Sequence, residues 1–233
     1  MDDRRYDALF IDFYGTISAG DRAAVASTCR HIVDTLGLTA TAECFAERWG
    51  ERFFATIDRS NHDAFQTLHA CEQASLRDTL RDFAVPGEAV DGAARLLADI
   101  EAYWADPPLH DDVRACLAAI DLPICCVSNA DAEPLAAALR KHDLRFDAVV
   151  TSEQARCYKP DPEIFRAALR AMGVQPRRVM HVGDSRHSDV AGAARLGITT
   201  TWLCRNDRIH DIGERVPDHT ISSLAELPPL LDR

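Results

Sequence analysis

The apolar positions of this chain follow two periodicities. Short runs with β-branched content, at 8–12, 123–128, 148–151, 178–183 and 198–204, stop abruptly at polar residues, as do strands buried on both faces of a sheet. Between them the spacing becomes helical, for example at 132–142 and at 162–172, where Asp161 stands as N-cap and Pro162 takes the first helical position. Alternating strand and helix predicts a parallel, doubly wound α/β sheet.

One long stretch, 21–104, departs from that alternation and reads as helices only. Val25, Cys29, Ile32, Val33 and Leu36 make one apolar face ending at Gly37, and Phe65, Leu68, Leu76, Leu80 and Phe83 suggest another. Its breaks, at 38–41, 60–62 and 86–87, are turn-like. The expected organisation is a core of residues 1–18 and 105–233, with a helical insertion at 19–104 after the first strand.

In an open α/β sheet, ligands bind beyond the carboxyl ends of the strands, where loops and helix amino termini converge. Four polar residues meet that condition: Asp12 ends the first run, Ser128 the second, Lys159 follows the third and Asp184 ends the fourth. The Asp12 carboxylate is suited to attack an electrophile and form a covalent intermediate. Ser128 and Asn129 close a strand and open a helix, offering a hydroxyl and backbone N–H groups to an anionic oxygen. Lys159, one of two lysines in a chain that otherwise uses arginine, can neutralise developing charge. Asp184 and Asp189 are hard oxygen ligands that, with Asp12 and a backbone carbonyl, suit magnesium. Asp12, Ser128, Asn129, Asp184 and Asp189 also have a plainer reading as turn residues or helix caps, whereas a turn does not explain Lys159.

The ordered set D-F-Y-G-T from Asp12, S-N at Ser128 and Asn129, K-P-D-P from Lys159, and G-D-S-R-H-S-D from Gly183 to Asp189 resembles the four motifs of the haloacid dehalogenase superfamily. The resemblance covers nearly the whole core. It implies a Rossmann-like sheet, an all-helical cap inserted after the first strand, and a hydrolase with Asp12 as nucleophile. Asp12, Tyr14, Thr16, Ser128 and Lys159 are the implied catalytic residues, and Ser128 and Asn129 the substrate-binding ones. Asp12, the Tyr14 carbonyl and Asp184 are the implied holders of Mg2+, with Asp189 behind them. Within the expected cap, Arg48, Trp49, Arg52, Arg59, His62 and His69 are candidate substrate contacts, and Arg52 is carried forward. His181, inside a strand, reads as a packed core residue; His187 is open to either substrate or solvent.

Charge and composition narrow the alternatives. The 233 residues are 47% hydrophobic and 27% charged, an ordinary globular balance that predicts an ordered chain. Net charge is -11, with 26 basic residues spread along the sequence, which argues against nucleic acid as a partner. Eight cysteines without a C-x-x-C pair read as buried reduced thiols. With no signal-like segment and no run long enough to span a bilayer, a cytoplasmic monomer or homodimer acting on a small molecule is expected.

The first and fourth motifs point in different directions. Phosphatases of the superfamily usually have aspartate two residues after the nucleophile, as general acid; here that residue is Tyr14, and D-x-Y-G-T resembles 2-haloacid dehalogenases. Those enzymes bring a carboxylate and an anionic haloacid together without a metal, so a further acid is unwelcome. An unpaired Asp184 about 4 Å from a like charge costs roughly 4 kcal/mol at an effective dielectric near 20. Dehalogenases also resemble one another in carrying tyrosine six residues after the lysine, where this chain has Phe165. With magnesium, about four negative charges from phosphate, Asp12 and Asp184 face three positive ones from the ion and Lys159. The favoured expectation is a magnesium-dependent phosphatase working through an aspartyl-phosphate. The alternatives are a metal-independent dehalogenase and a non-catalytic binder of a phosphorylated ligand. Residues 17–110 contain no lysine, which argues against a cap-lysine Schiff base of the kind phosphonatases use.

Overall fold

A computed structural model describes residues 5–205 and 215–231. Residues 1–4, 206–214 and 232–233, part of the expected core and of the chain expected to be ordered, lie outside the described residues. The chain divides into two compact units, one of Met1–Ala19, Pro108–Asn129 and Leu144–Arg233, the other of Gly20–Pro107 and Ala130–Asp143.

The first unit is built on a parallel sheet. Its strands are β1 (Ala8–Ile11), β2 (Ile124–Ser128), β3 (Ala148–Thr151), β4 (Val179–Gly183), β5 (Thr199–Leu203) and β6 (His219–Ile221), in the order β3-β2-β1-β4-β5-β6. Every residue of β1, β2 and β4 is buried, which is why these runs are continuously apolar instead of alternating. β6 was not expected: it has three residues, of which only Ile221 is buried.

Among the helices, α1 (Asp21–Leu36), α2 (Ala42–Arg59), α3 (Leu68–Asp82), α4 (Gly87–Asp91), α5 (Ala98–Ala105) and α7 (Ala132–Lys141) fall in the second unit. α6 (Val113–Ala119), α8 (Ser152–Ala155), α9 (Pro162–Met172), α10 (Ala191–Ala194) and α11 (Pro228–Leu231) fall in the first. Asp161 caps α9 by accepting from the Glu163 N–H at 2.8 Å. Ile164, Phe165, Ala168 and Leu169 turn from that helix into the core beside Phe10, Cys125 and Val127.

The helical unit has its own core. Cys29, Ile32 and Val33 of α1 meet Phe45 and Trp49 of α2, Leu76 and Leu80 of α3, and Ile100 of α5. Phe65, expected on the second apolar face, precedes α3 instead of belonging to it. The division also differs from expectation, because residues 130–143 belong to the helical unit. Asp131 accepts the Leu68 and His69 N–H groups at 2.7 and 2.9 Å, satisfying donors that a helix start leaves orphaned, and α7 packs on α5.

Six cysteines are buried as expected, whereas Cys44 is exposed and Cys204 half-buried; all eight are free thiols. Among the described residues, no helix is long and apolar enough to cross a membrane.

Candidate active site

Parallel strands deliver the motif residues to one end of the sheet. Asp12 follows β1, Ser128 ends β2, Lys159 lies between α8 and α9, and Asp184 follows β4. Gly15, three residues after Asp12, has φ of 86°, in the left-handed region that glycine enters without steric cost. It lets the chain turn sharply beyond Asp12.

Lys159 is the hub. Its buried ammonium donates to Asp12 Oδ1 at 2.6 Å, Asp189 Oδ1 at 2.7 Å and the Val127 carbonyl at 3.0 Å. An ammonium has three protons, so these acceptors use all of them and fix its position. The backbone is held as well: Asn129 Oδ1 accepts the Lys159 N–H at 2.7 Å and Asn129 Nδ2 donates to the Lys159 carbonyl at 3.1 Å. The Asn129 side chain, expected to bind substrate, is thus turned to the lysine backbone, because a planar amide matches a peptide unit's donor and acceptor.

The charges of this hub depend on one another. Burial lowers the Lys159 pKa, but Asp12 and Asp189 outweigh it and raise the group above its ordinary range. For Asp189, burial is opposed by Lys159 and by the His181 hydrogen bond, and the carboxyl ends well below the usual range. For Asp12 burial wins over Lys159, helped by nearby Asp189, and the carboxyl is raised.

Asp12, Asp184 and Asp189 each place a carboxylate oxygen within 4.8 Å of the others. Asp12 Oδ2 is buried without a hydrogen-bond partner among the described residues. Three buried acids facing one lysine, with that oxygen unmet, fit a hard divalent cation. Thr16 is buried, its hydroxyl at a long 3.5 Å from Asp184 Oδ1. The Asp184 carbonyl accepts from Trp202 Nε1 at 3.0 Å. Ser128 Oγ is buried and also without a partner among the described residues. Tyr14 is half-buried, edge-on to Phe13.

Gly183 explains its own place in the fourth motif. A Cβ there would lie 2.2 Å from Asp189 Cγ and 2.4 Å from its Oδ2, so only glycine admits the carboxylate so close to the strand. The Ser185 N–H donates to Asp189 Oδ2 at 3.1 Å. His181, read from sequence as core packing, does pack edge-on against Phe165. It also joins Asp189 through Nε2 at 2.9 Å. The available signal was a lone histidine in an apolar strand two residues before the Gly-Asp pair.

The helical-unit candidates have other partners. Arg52 donates through Nε and Nη2 to Asp82 at 2.8 and 2.7 Å, so its guanidinium fork is occupied. Arg48 shares Asp82 and adds Glu51. Trp49 is buried and bonds Ser75; His69 meets Gln73 and Glu101. His187 is exposed.

A family model for haloacid dehalogenase-like hydrolases matches residues 6–197. The phosphoserine phosphatase of Thermus thermophilus is 30% identical over 229 residues, covering 85% of this chain and 90% of that protein. The (S)-2-haloacid dehalogenase 4A of Burkholderia cepacia is 27% identical, covering 96% and 94%. Other relatives match over shorter stretches, of which the chain spans only 35 to 37%. The fold matches that of the HAD-hydrolase YfnB of Bacillus subtilis, solved bound to magnesium, with a TM-score of 0.76 at 20% identity over 99% of this chain and 100% of that one. Sequence motifs, sheet topology and relatives agree that the chain belongs to the haloacid dehalogenase-like hydrolases.

Proposed function

We propose that this protein is a magnesium-dependent phosphatase acting on a small phosphorylated metabolite through an aspartyl-phosphate on Asp12. The observation that carries this reading is the third carboxylate. Asp12, Asp184 and Asp189 cluster within 4.8 Å of one another, and Lys159 pairs with Asp12 and Asp189, so negative charge that burial makes costly gathers at this point. Asp12, Asp184 and the Tyr14 carbonyl would hold the ion, with Asp189 behind them. When bound, magnesium offsets this charge and polarises the phosphoryl oxygens.

The protein's own groups supply the rest. Lys159 holds Asp12 Oδ1, leaving Oδ2 to attack phosphorus in line as the bond to the leaving oxygen breaks. Ser128 Oγ and the N–H groups after it would receive a phosphoryl oxygen. Water then attacks the acyl phosphate, giving inorganic phosphate and restoring Asp12. Tyr14 stands where a general acid would, and a phenol, whose unperturbed pKa is near 10, is a poor match for proton donation at neutral pH, so the leaving oxygen takes its proton from solvent. The helical unit, inserted after the first motif, is assigned to substrate selection.

A second reading, the metal-independent dehalogenase, is favoured by Tyr14 in the first motif and by the Burkholderia relative. A substrate panel separates the two. Phosphate release that disappears with chelator is expected; chelator-insensitive halide release from 2-chloropropionate overturns the proposal.

A further inference from the structure

Asp189 is held from three directions. Lys159 Nζ and His181 Nε2 both reach Oδ1, at 2.7 and 2.9 Å, and the Ser185 N–H reaches Oδ2 at 3.1 Å. Its Cβ and Cγ occupy the space that a side chain at Gly183 would fill. Lys159 then extends the same chain of bonds to Asp12.

Packing alone does not account for the histidine. His181 lies in the middle of β4, in register with Phe10 and Thr200, with its ring edge-on to Phe165 at 5.0 Å. Only 1% of it is exposed, and Nδ1 has no partner among the described residues. A buried nitrogen left unmet is destabilising, a penalty that leucine or phenylalanine in the same space avoids. Among the described residues, the imidazole has one polar side-chain partner within bonding distance, Asp189. Since that partner is a carboxylate, Nε2 carries a hydrogen and donates it.

We infer that His181 is a positioning residue for the nucleophile, its Nε2–H fixing Asp189 so that the Lys159 ammonium is shared between Asp189 and Asp12. The sheet and Phe165 set the ring, the ring sets the Asp189 carboxylate, and that carboxylate sets where the lysine points. Without the imidazole donor, Oδ1 keeps only the lysine and Oδ2 only the Ser185 N–H, so the carboxylate is held by two bonds in place of three. Asp12 then loses a fixed partner on Oδ1. Partners of this kind behind a reacting group typically contribute 10- to 100-fold in activity. The inference rests on Asp12 as nucleophile, as proposed above, and not on phosphate in place of halide.

The test compares His181→Leu with His181→Gln, whose amide N–H reaches close to the Nε2 position. Turnover of p-nitrophenyl phosphate is followed, or halide release if the wild type proves to be a dehalogenase. His181→Leu should lower kcat 10- to 100-fold with KM within about threefold, and His181→Gln should recover most of the loss. Equal activity in the two variants, or loss in KM alone, overturns the inference. An independent arm uses the wild-type protein labelled with 15N-histidine. The His181 ring should show a protonated Nε2, with a slowly exchanging N–H signal that moves in Asp189→Asn. A proton on Nδ1 in place of Nε2 overturns the inference even if His181→Leu does not fold. A wild type that releases neither phosphate nor halide removes the enzymatic reading, and with it the role assigned to His181.

Discussion

Asp189 in the sheet unit and Glu72 in the helical unit are both buried carboxyls, 1% and 3% exposed, yet they are driven in opposite directions. Burial raises both. At Asp189, Lys159 and His181 reverse the effect and the group sits well below the usual range. Glu72 has the Trp104 indole N–H at 2.7 Å and, among the described residues, no cation paired with it, with Asp131 and Glu101 adding repulsion, and it is pushed up to about 8. Depth alone therefore does not set the direction; it is weighed against the partners, and at Asp12, with a share of the same lysine, burial still prevails. The sheet unit gives Asp189 a counter-charge, whereas Glu72 has an indole N–H that links α3 to α5.

The strongest way to break this contrast is to remove the cation. Lys159→Met leaves Asp12 and Asp189 buried without their ammonium, which should cost about 3–5 kcal/mol in urea unfolding and reduce turnover more than 100-fold. Asp12→Asn separates the two consequences. It should also reduce turnover more than 100-fold, since the nucleophile is gone, but it keeps Lys159 paired with Asp189 and should leave stability within about 1 kcal/mol of wild type. A comparable collapse in the stability of both variants would show that the hub is not held by charge pairing.

The pH dependence sharpens the comparison from the other side. Glu72 binds a proton in the folded state up to about pH 8, while the unfolded chain releases it near 4.5. Stability from this group is therefore full below 4.5 and declines as pH rises to about 8. At about 1.4 kcal/mol for each pH unit, the decline is at most about 5 kcal/mol. Asp189, with its pKa lowered, behaves oppositely: its contribution is present above the ordinary carboxylate range and is lost as pH falls below it. Glu72→Gln keeps an acceptor for Trp104 and removes the proton. It should gain little at pH 5 and should stabilise the protein at pH 8.5, read as the difference in urea midpoint. The smallest effect is expected from Arg52→Ala. The Arg52–Asp82 pair is solvent-exposed, so Tm should move by no more than about two degrees, and turnover should persist unless the guanidinium leaves Asp82 to bind substrate.

What the sequence disclosed followed from locality and topology. β1 to β5 were visible because a strand buried on both faces must be continuously apolar, and α9 because Asp161 and Pro162 mark its start within two residues. The motif residues were legible together because parallel strands bring their carboxyl ends to one edge. β6 was too short and too exposed to stand out. The grouping of α7 with α5 was hidden, since the apolar face of Leu135, Ala138 and Leu139 states that the helix is covered but not by what. Long-range side-chain pairs were hidden for the same reason. Arg52 meets Asp82 across 30 residues, and Asn129 meets Lys159 across another 30, so neither their partners nor the consequent change in role can be read from spacing. The His181–Asp189 link spans a strand end and the wide turn Arg186–Val190, which no simple periodicity brings together.

The central claim is that Asp12 attacks phosphorus, and the fate of water oxygen tests it most directly. A single turnover, with enzyme in excess, is run in 18O-labelled water with magnesium and p-nitrophenyl phosphate, and in parallel with 2-chloropropionate. Water cleaving an aspartyl-phosphate at phosphorus leaves the label in inorganic phosphate and the Asp12 peptide at its natural mass. Water cleaving an aspartyl ester at its carbonyl carbon places the label in Asp12. The account predicts labelled phosphate and an unlabelled Asp12 peptide; label in Asp12 together with chelator-insensitive halide release would contradict it.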